Sequence, residues 1–381
     1  MAASDSIPKQ LHIEAMQSAL PGQLTETGQS RAIAVVGAGP LCREALQSRL
    51  RVVLYYRKTG EDDSAEAVAA WAKESLSAAL AEYPGLAGRL RNDREGDGFW
   101  DVKLNDAGVR LVQATAEVGM DEFLESEGRE AMEEKLAYWA DIDRDKPDVS
   151  ALFYIQVTEF KGDGYSIGIT CSLLLADPQL LARFLKQWAL CHSQTVARAA
   201  LTTTSIFHPS YFRKAKQRPV HLKSLALDSA AAATDPAAAT VLFKFPWDPE
   251  RRAPALAYSA LAWLCVDEAS RALEPGTGAA VSEFFLIVSD PVDDSMRVEL
   301  CRKEERPSGG AGGFGRAANY MASWDELGLD GLALAEGNEP VHVSYRTVPS
   351  GRAGLVVVML PPDDVDCAPE LMVAATVPKR I

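Results

Sequence analysis

Two α/β units joined by a linker are what this chain predicts, on three observations. Strand-like and helix-like segments alternate in both halves. At 381 residues the chain is long for one core, against roughly 100–200 residues per domain. Between the halves, residues 201–238 lose periodicity and become rich in Thr, Ser, Ala and Pro. The expected division is an N-terminal unit over 1–200, a linker over 201–238 and a C-terminal unit over 239–381.

Each element follows from a local pattern. "RLRVVLYYRK" at 49–58 has the β-branched and aromatic content of a strand. "SAEAVAAWAKESLSAALAEY" at 64–83 carries Ala, Leu, Lys and Glu at helical spacing, with Ser64 as N-cap and Pro84-Gly85 as the stop. "GRLRND", "GFWDVKLND" and "VRLVQATAE" are short strands between Asp/Gly turns, expected to form a meander, and a charged amphipathic helix is expected over 121–138. Residues 151–172 form a hairpin whose turn, Lys161 to Gly164, uses glycines for positive φ. Its second strand runs into the helix "PQLLARFLKQWALCH", with Pro178 in the first turn, where a missing N–H costs nothing. The second half repeats the mixture: "TVLFKFPW", the helix at 254–273, "SEFFLIVSD", a Gly-rich loop at 306–316, then "PVHVSYRTV" and "GLVVVML".

Composition narrows the function classes. The chain is 47% hydrophobic and 24% charged, as folded globular proteins are. A net charge of −14 repels a phosphate backbone, so no nucleic-acid partner is expected. The one compact basic run, "YFRKAKQRPVHLK" at 211–223, reads as a solvated linker. Six cysteines without CxxC spacing read as reduced thiols. With no signal-peptide pattern and no run of about 18 apolar residues, an intracellular chain without a transmembrane segment, a monomer on its own, is expected.

The familiar chemical motifs fail. "AVVGAGP" at 34–40 lacks the third glycine of a dinucleotide fingerprint, where Cys42 stands, and reads as a turn after a strand. "SGGAGGFG" at 308–315 lacks the Gly-Lys-Ser/Thr ending of a phosphate loop. Five dispersed histidines (His12, His192, His208, His221 and His342) give no metal-ligand spacing, and there is no G-x-S-x-G elbow. No metal and no resident cofactor are therefore expected.

Two places remain. On "PVHVSYR", alternation puts Val341, Val343 and Tyr345 on one face and His342, Ser344 and Arg346 on the other, a solvated face or a ligand-channel lining. In "YSIGITCSLLLADPQLLARF", Cys171 and Leu173 point to one side and Ser172 and Leu174 to the other. Asp177 stands at the helix entry, where a carboxylate caps backbone N–H groups.

This corner resembles that of the plant BAHD acyltransferases, whose strand-to-helix turn reads His-x-x-x-Asp-Gly. Here it reads Leu173-Leu174-Leu175-Ala176-Asp177-Pro178. "YPGLAGRLR" at 83–91, "NDAGVRLVQA" at 105–114, "IQVTEFKGDGYSIGI" at 155–169 and the late "PVHVSYRTVPSGRAGLVVVMLPP" are similar to family landmarks in family order. The resemblance implies a two-domain chloramphenicol-acetyltransferase-like fold, with mixed sheets, flanking helices and an interdomain channel. It implies acyl-CoA as the ligand or co-substrate. It also implies that Leu173 stands where the family carries its general base and that Asp177 keeps its structural role. The second family signature, Asp-Phe-Gly-Trp-Gly, is replaced by Leu334-Ala335-Glu336-Gly337-Asn338.

A positioned base contributes roughly 10²–10⁴-fold in rate, so ordinary catalysis would need a substitute, for which Cys171 and His342 are the candidates. "QVTEFK", "SIGI" and "GLDGLALAEGNEPVHVSY" resemble the eceriferum and Glossy group of cuticular-wax proteins within the family. That resemblance implies an accessory role beside an elongase condensing enzyme making very-long-chain acyl chains, at the cytosolic face of the endoplasmic reticulum. The alternatives are an acyl-CoA-dependent acyltransferase with a non-standard base and a cleft repurposed for lyase-type chemistry.

Overall fold

The computed structural model describes residues 9–36, 41, 43–58, 65–92, 100–162, 164–201, 222–227, 237–247, 255–273, 281–290, 294–307, 317–351, 353–361 and 369–379. The first half contains β1 (Gln10–Ala19), β2 (Ser30–Val36), α1 (Arg43–Gln47), β3 (Arg49–Arg57), α2 (Ala65–Glu82), β4 (Arg89–Asn92), β5 (Trp100–Lys103) and β6 (Val109–Ala116). Next come α3 (Met120–Leu124), α4 (Arg129–Met132), β7 (Phe153–Glu159), β8 (Gly164–Ser172) and α5 (Pro178–Leu201). The second half contains β9 (Lys223–Ala226), β10 (Ala238–Pro246), α6 (Ala255–Leu273), β11 (Glu283–Asp290), β12 (Ser295–Arg302) and β13 (Met321–Ala322). It closes with β14 (His342–Val348), β15 (Gly354–Met359) and β16 (Glu370–Pro378). The strand at 49–58, the helix at 64–83, the hairpin and the helix after Asp177 stand where the sequence puts them. Ser64, residues 308–316 and most of the basic run lie outside the described residues.

Among the described residues these elements form two mixed sheets with flanking helices. One has seven strands in the order β14-β3-β8-β7-β6-β1-β9; the other has nine, in the order β13-β10-β16-β15-β11-β12-β2-β5-β4. Each sheet takes strands from both halves of the chain. β14 joins the first sheet antiparallel to β3, with His342 opposite Tyr55, while β2 joins the second parallel to β12, with Ile33 opposite Met296. Within the stretch expected to be a linker, β9 pairs with β1 at the sheet edge.

Three local expectations are corrected. The meander does not form: β4 and β5 pair in the second sheet, whereas β6 lies in the first, parallel to β7. The chain changes sheets through Asp106 and Gly108, both at positive φ, and a Cβ on Gly108 would stand 2.3 Å from the Ala19 carbonyl oxygen. The helix over 121–138 is broken into α3, α4 and a 3-10 turn at Glu133–Leu136, because Gly128 takes a φ of 75°. In the hairpin turn, Gly162 has positive φ, but Gly164 is a strand residue against which Met120 packs.

The cores explain the layering. α2 and α5 cover one face of the first sheet, and their core, with Leu50, Leu54, Leu76 and Leu185, is continuous with Ile287, Val298 and Leu355 of the second sheet. α6 closes the far face of the second sheet over Phe243, Phe284 and Val373. The broken 120–140 segment covers the other face of the first sheet with Phe123, Met132 and Leu136. Gly168 permits that close cover, since a Cβ there would lie 1.8 Å from the Leu136 carbonyl oxygen. No helix among the described residues is long and apolar enough to cross a membrane.

Candidate functional site: the corner between β8 and α5

β8 is buried from Gly164 to Ser172, and its last side chain starts the turn. Ser172 Oγ accepts from Leu174 N at 3.2 Å, and the Ser172 carbonyl accepts from Leu175 N at 2.9 Å. A short hydroxyl suits this position because it competes with ladder partners for nearby backbone groups. Asp177 then opens α5, its Oδ1 accepting from Leu180 N at 2.8 Å, the N-cap geometry expected from the sequence.

A second clamp comes from the other sheet. Arg31 Nη2, carried on β2, donates to the Leu174 and Leu175 carbonyl oxygens at 3.1 and 2.5 Å. Its Nη1 lies 3.9 Å from Asp294. Burial lowers the Arg31 pKa, and Asp294 and Asp177 oppose that shift. Nothing in "SRAIAVV" marks this arginine, since a lone charge on a strand reads as a surface residue.

Leu173 itself has 0% exposure. It shares the inter-sheet core with Cys171 as expected, but Leu174 joins that core too. The alternation ends at Ser172, where the chain leaves strand geometry, so Leu174 does not face away. Burial pushes the Cys171 thiol far above its usual pKa, with Arg31 opposing. A thiol held protonated is neither base nor nucleophile at neutral pH.

His342 stands elsewhere. It lies opposite Tyr55 of β3, whereas Cys171 lies opposite Leu50, an odd number of residues away along the same strand. The two therefore occupy opposite faces of the first sheet. On its own face His342 Nε2 lies 3.1 Å from Ser344 Oγ, and Ser344 Oγ donates to Glu133 Oε1 at 2.8 Å. Tyr55 OH donates to the same oxygen at 2.9 Å, with Arg129 Nε 3.4 Å away. Burial and then Arg129 lower the His342 pKa against the opposing charge of Glu133, which keeps the ring neutral at neutral pH. Glu133 was beyond sequence reasoning, since its partner Ser344 is 211 residues away. The Leu334–Asn338 stretch folds as a tight turn, with Gly337 at a φ of 74° and buried Asn338 Nδ2 donating to Tyr165 OH at 3.4 Å. Among the described residues no three His, Cys, Asp or Glu side chains are grouped to hold a metal.

The family model described as the Transferase family matches residues 46–245, just over half of the chain. The chain belongs to that family, the BAHD acyltransferases. It is similar to Protein ECERIFERUM 26-like of Arabidopsis thaliana, at 30% identity over 119 residues, 31% of this chain and 27% of the relative. It is also similar to agmatine hydroxycinnamoyltransferase 1 of Oryza sativa subsp. japonica, at 36% identity over 30% of this chain and 24% of the relative. The matches thus span about a quarter of the length of these curated relatives. The crystal structure of vinorine synthase is similar at 17% identity with a TM-score of 0.49, covering 97% of this chain and 95% of that one.

For this BAHD member the chemistry of the corner can be stated residue by residue. Ser172, Asp177 and Arg31 hold the turn through hydrogen bonds to its backbone. The side chain at 173 is a hydrocarbon and can neither accept nor donate a proton. Cys171 is a sealed thiol, and His342 is a neutral imidazole on the wrong face to reach the same point.

Proposed function

We propose that this BAHD protein is catalytically impaired and acts as an accessory factor in very-long-chain fatty acid elongation and cuticular wax biosynthesis. The observation that carries this reading is Leu173: it fills the position where the family resemblance puts a general base, and it is sealed in the inter-sheet core. A base must be able to take a proton and be within hydrogen-bond reach of it: Cys171, beside Leu173 in that core, is a thiol that burial keeps protonated, and His342 lies on the opposite sheet face. Similarity to Protein ECERIFERUM 26-like supports the accessory role. In this reading the chain works beside an elongase condensing enzyme at the cytosolic face of the endoplasmic reticulum, where the partner supplies the membrane anchor, and acyl-CoA is a ligand.

A second reading, an acyl-CoA-dependent acyltransferase with a non-standard base, is favoured by the similarity to agmatine hydroxycinnamoyltransferase 1. Co-expression in yeast with a plant condensing enzyme separates the two. Longer acyl chains in total fatty acids, present only when both proteins are expressed, are the expected result. An unchanged profile across several condensing enzymes, with CoA released by purified protein from an acyl-CoA and an amine or hydroxyl acceptor, would establish the second reading.

A further inference from the structure

Three side chains far apart in sequence meet at the edge of the first sheet, where β9 follows β1 as the last strand. His12 of β1 stands between Ser224 of β9 and Glu117, the residue after β6. Its Nδ1 lies 2.8 Å from Ser224 Oγ, and its Nε2 lies 3.2 Å from Glu117 Oε1. A carboxylate only accepts, so the ring hydrogen on that side belongs to Nε2, and the neutral tautomer this selects leaves Nδ1 to accept from the Ser224 hydroxyl. A hydroxyl on one ring nitrogen and a carboxylate on the other is the order of a nucleophile, its base and the acid that orients the base. Such a constellation is recognised by geometry, so the missing G-x-S-x-G elbow does not weigh against it.

The sheet explains the meeting. In register, His12 stands opposite Thr115 of β6 on one side and Ser224 of β9 on the other. Leu11 and Ile13, which flank His12, are sealed with Ala114 and Ala116 in one core, and alternation therefore puts His12, Glu117 and Ser224 together on the other face. Glu117 N donates to Gln10 O at 2.8 Å and Leu227 N to Lys9 O at 2.7 Å, which fixes both neighbouring segments against β1. The bond between Leu227 and Lys9 also sets the phase of the ladder. Bonded pairs alternate, so His12 and Ser224 form a non-hydrogen-bonded pair, where facing side chains come closest. At such a pair the Ser224 N–H turns away from β1. Among the described residues β9 has no strand on its outer side, which leaves that N–H as a donor for an oxyanion formed at the serine. The His12 side chain is only 13% exposed and is held between its partners, whereas Ser224 is exposed to a reactant.

We propose that Ser224, His12 and Glu117 form a hydrolytic site for small activated carboxylic esters, with Ser224 as nucleophile, His12 as general base and Glu117 as positioning residue. Ser224 Oγ attacks the ester carbonyl carbon as its proton passes to His12 Nδ1. The bond from that carbon to the leaving oxygen then breaks, and His12 gives the proton to the departing alcohol. Water next attacks the acyl-serine carbonyl and gives a proton to His12; the bond to Oγ breaks, Oγ takes that proton, and a carboxylic acid leaves. The site is independent of the accessory reading, because β1 lies three strands away from β8. The test uses the full chain with 4-nitrophenyl acetate, read as nitrophenolate release and as acetylated peptides by mass spectrometry. A burst stoichiometric with the chain and an acetyl group on the Ser224 peptide are expected, and Ser224→Ala and His12→Gln should each lower kcat/KM about 10²-fold. Glu117→Gln loses the charge that holds the tautomer and should slow the burst about tenfold with its amplitude unchanged, whereas a folding defect would shrink the amplitude. Ser224 is exposed, so its alanine variant tests the nucleophile without disturbing the fold. Release unchanged in Ser224→Ala, acetyl groups only on other residues, or release no faster than with free imidazole at equal concentration would overturn the proposal.

Discussion

Leu173 has no exposed surface, and Leu174 and Leu175 have none either. A side chain so enclosed contributes through packing, because truncation leaves a cavity that the neighbouring core fills only in part. Leu173→Ala should therefore cost about 2–5 kcal/mol in urea unfolding, and Leu173→Met less than about 1.5 kcal/mol. A loss below about 1 kcal/mol for the alanine variant would show that the corner is not packed as described. At this scale Asp177 was legible in the sequence, because capping depends on residues three apart. The surroundings of Leu173 were not, because the core it shares is assembled from α2, α5 and strands of both sheets.

Among the described residues, the α2–α5 interface carries the one strongly perturbed histidine. His192 Nδ1 and Trp188 Nε1 each lie 3.0 Å from Ser75 Oγ, and His192 is 2% exposed. Burial pushes its pKa from 6.5 down to about 4. The unfolded chain thus binds a proton that the folded chain refuses between these values, so stability is full above pH 6.5 and falls as pH drops toward 4. The displacement corresponds to about 3 kcal/mol, and His192→Gln should flatten that part of the stability-against-pH curve. Identical acid slopes for the two proteins in urea titrations at pH 7 and pH 4.5 would contradict this origin. Periodicity made α2 and α5 readable as helices, but it did not show that Ser75 and His192 would meet. The helix over 121–138 failed for a related reason: its composition is helical, yet Gly128 and the close approach at Gly168 mould it to the sheet instead.

Across the whole molecule, Arg31 ties the two sheets together through the corner carbonyls. Arg31→Met should leave buried acceptors without that donor, costing about 1–3 kcal/mol and speeding amide exchange at Leu173 to Ala176 and at β2. Unchanged exchange at the corner would show that the clamp is dispensable. Composition, alternation and capping determined by themselves that this chain is α/β, that a hairpin runs into a capped helix, and that position 173 lacks a titratable group. These features rest on residues near one another in sequence, where backbone periodicity links residue type directly to structure. Only the tertiary structure decided that β14 enters the first sheet while β2, β4 and β5 enter the second, and that His342 and Cys171 fall on opposite faces. Strand order and register depend on pairings between segments hundreds of residues apart, for which local pattern carries no signal.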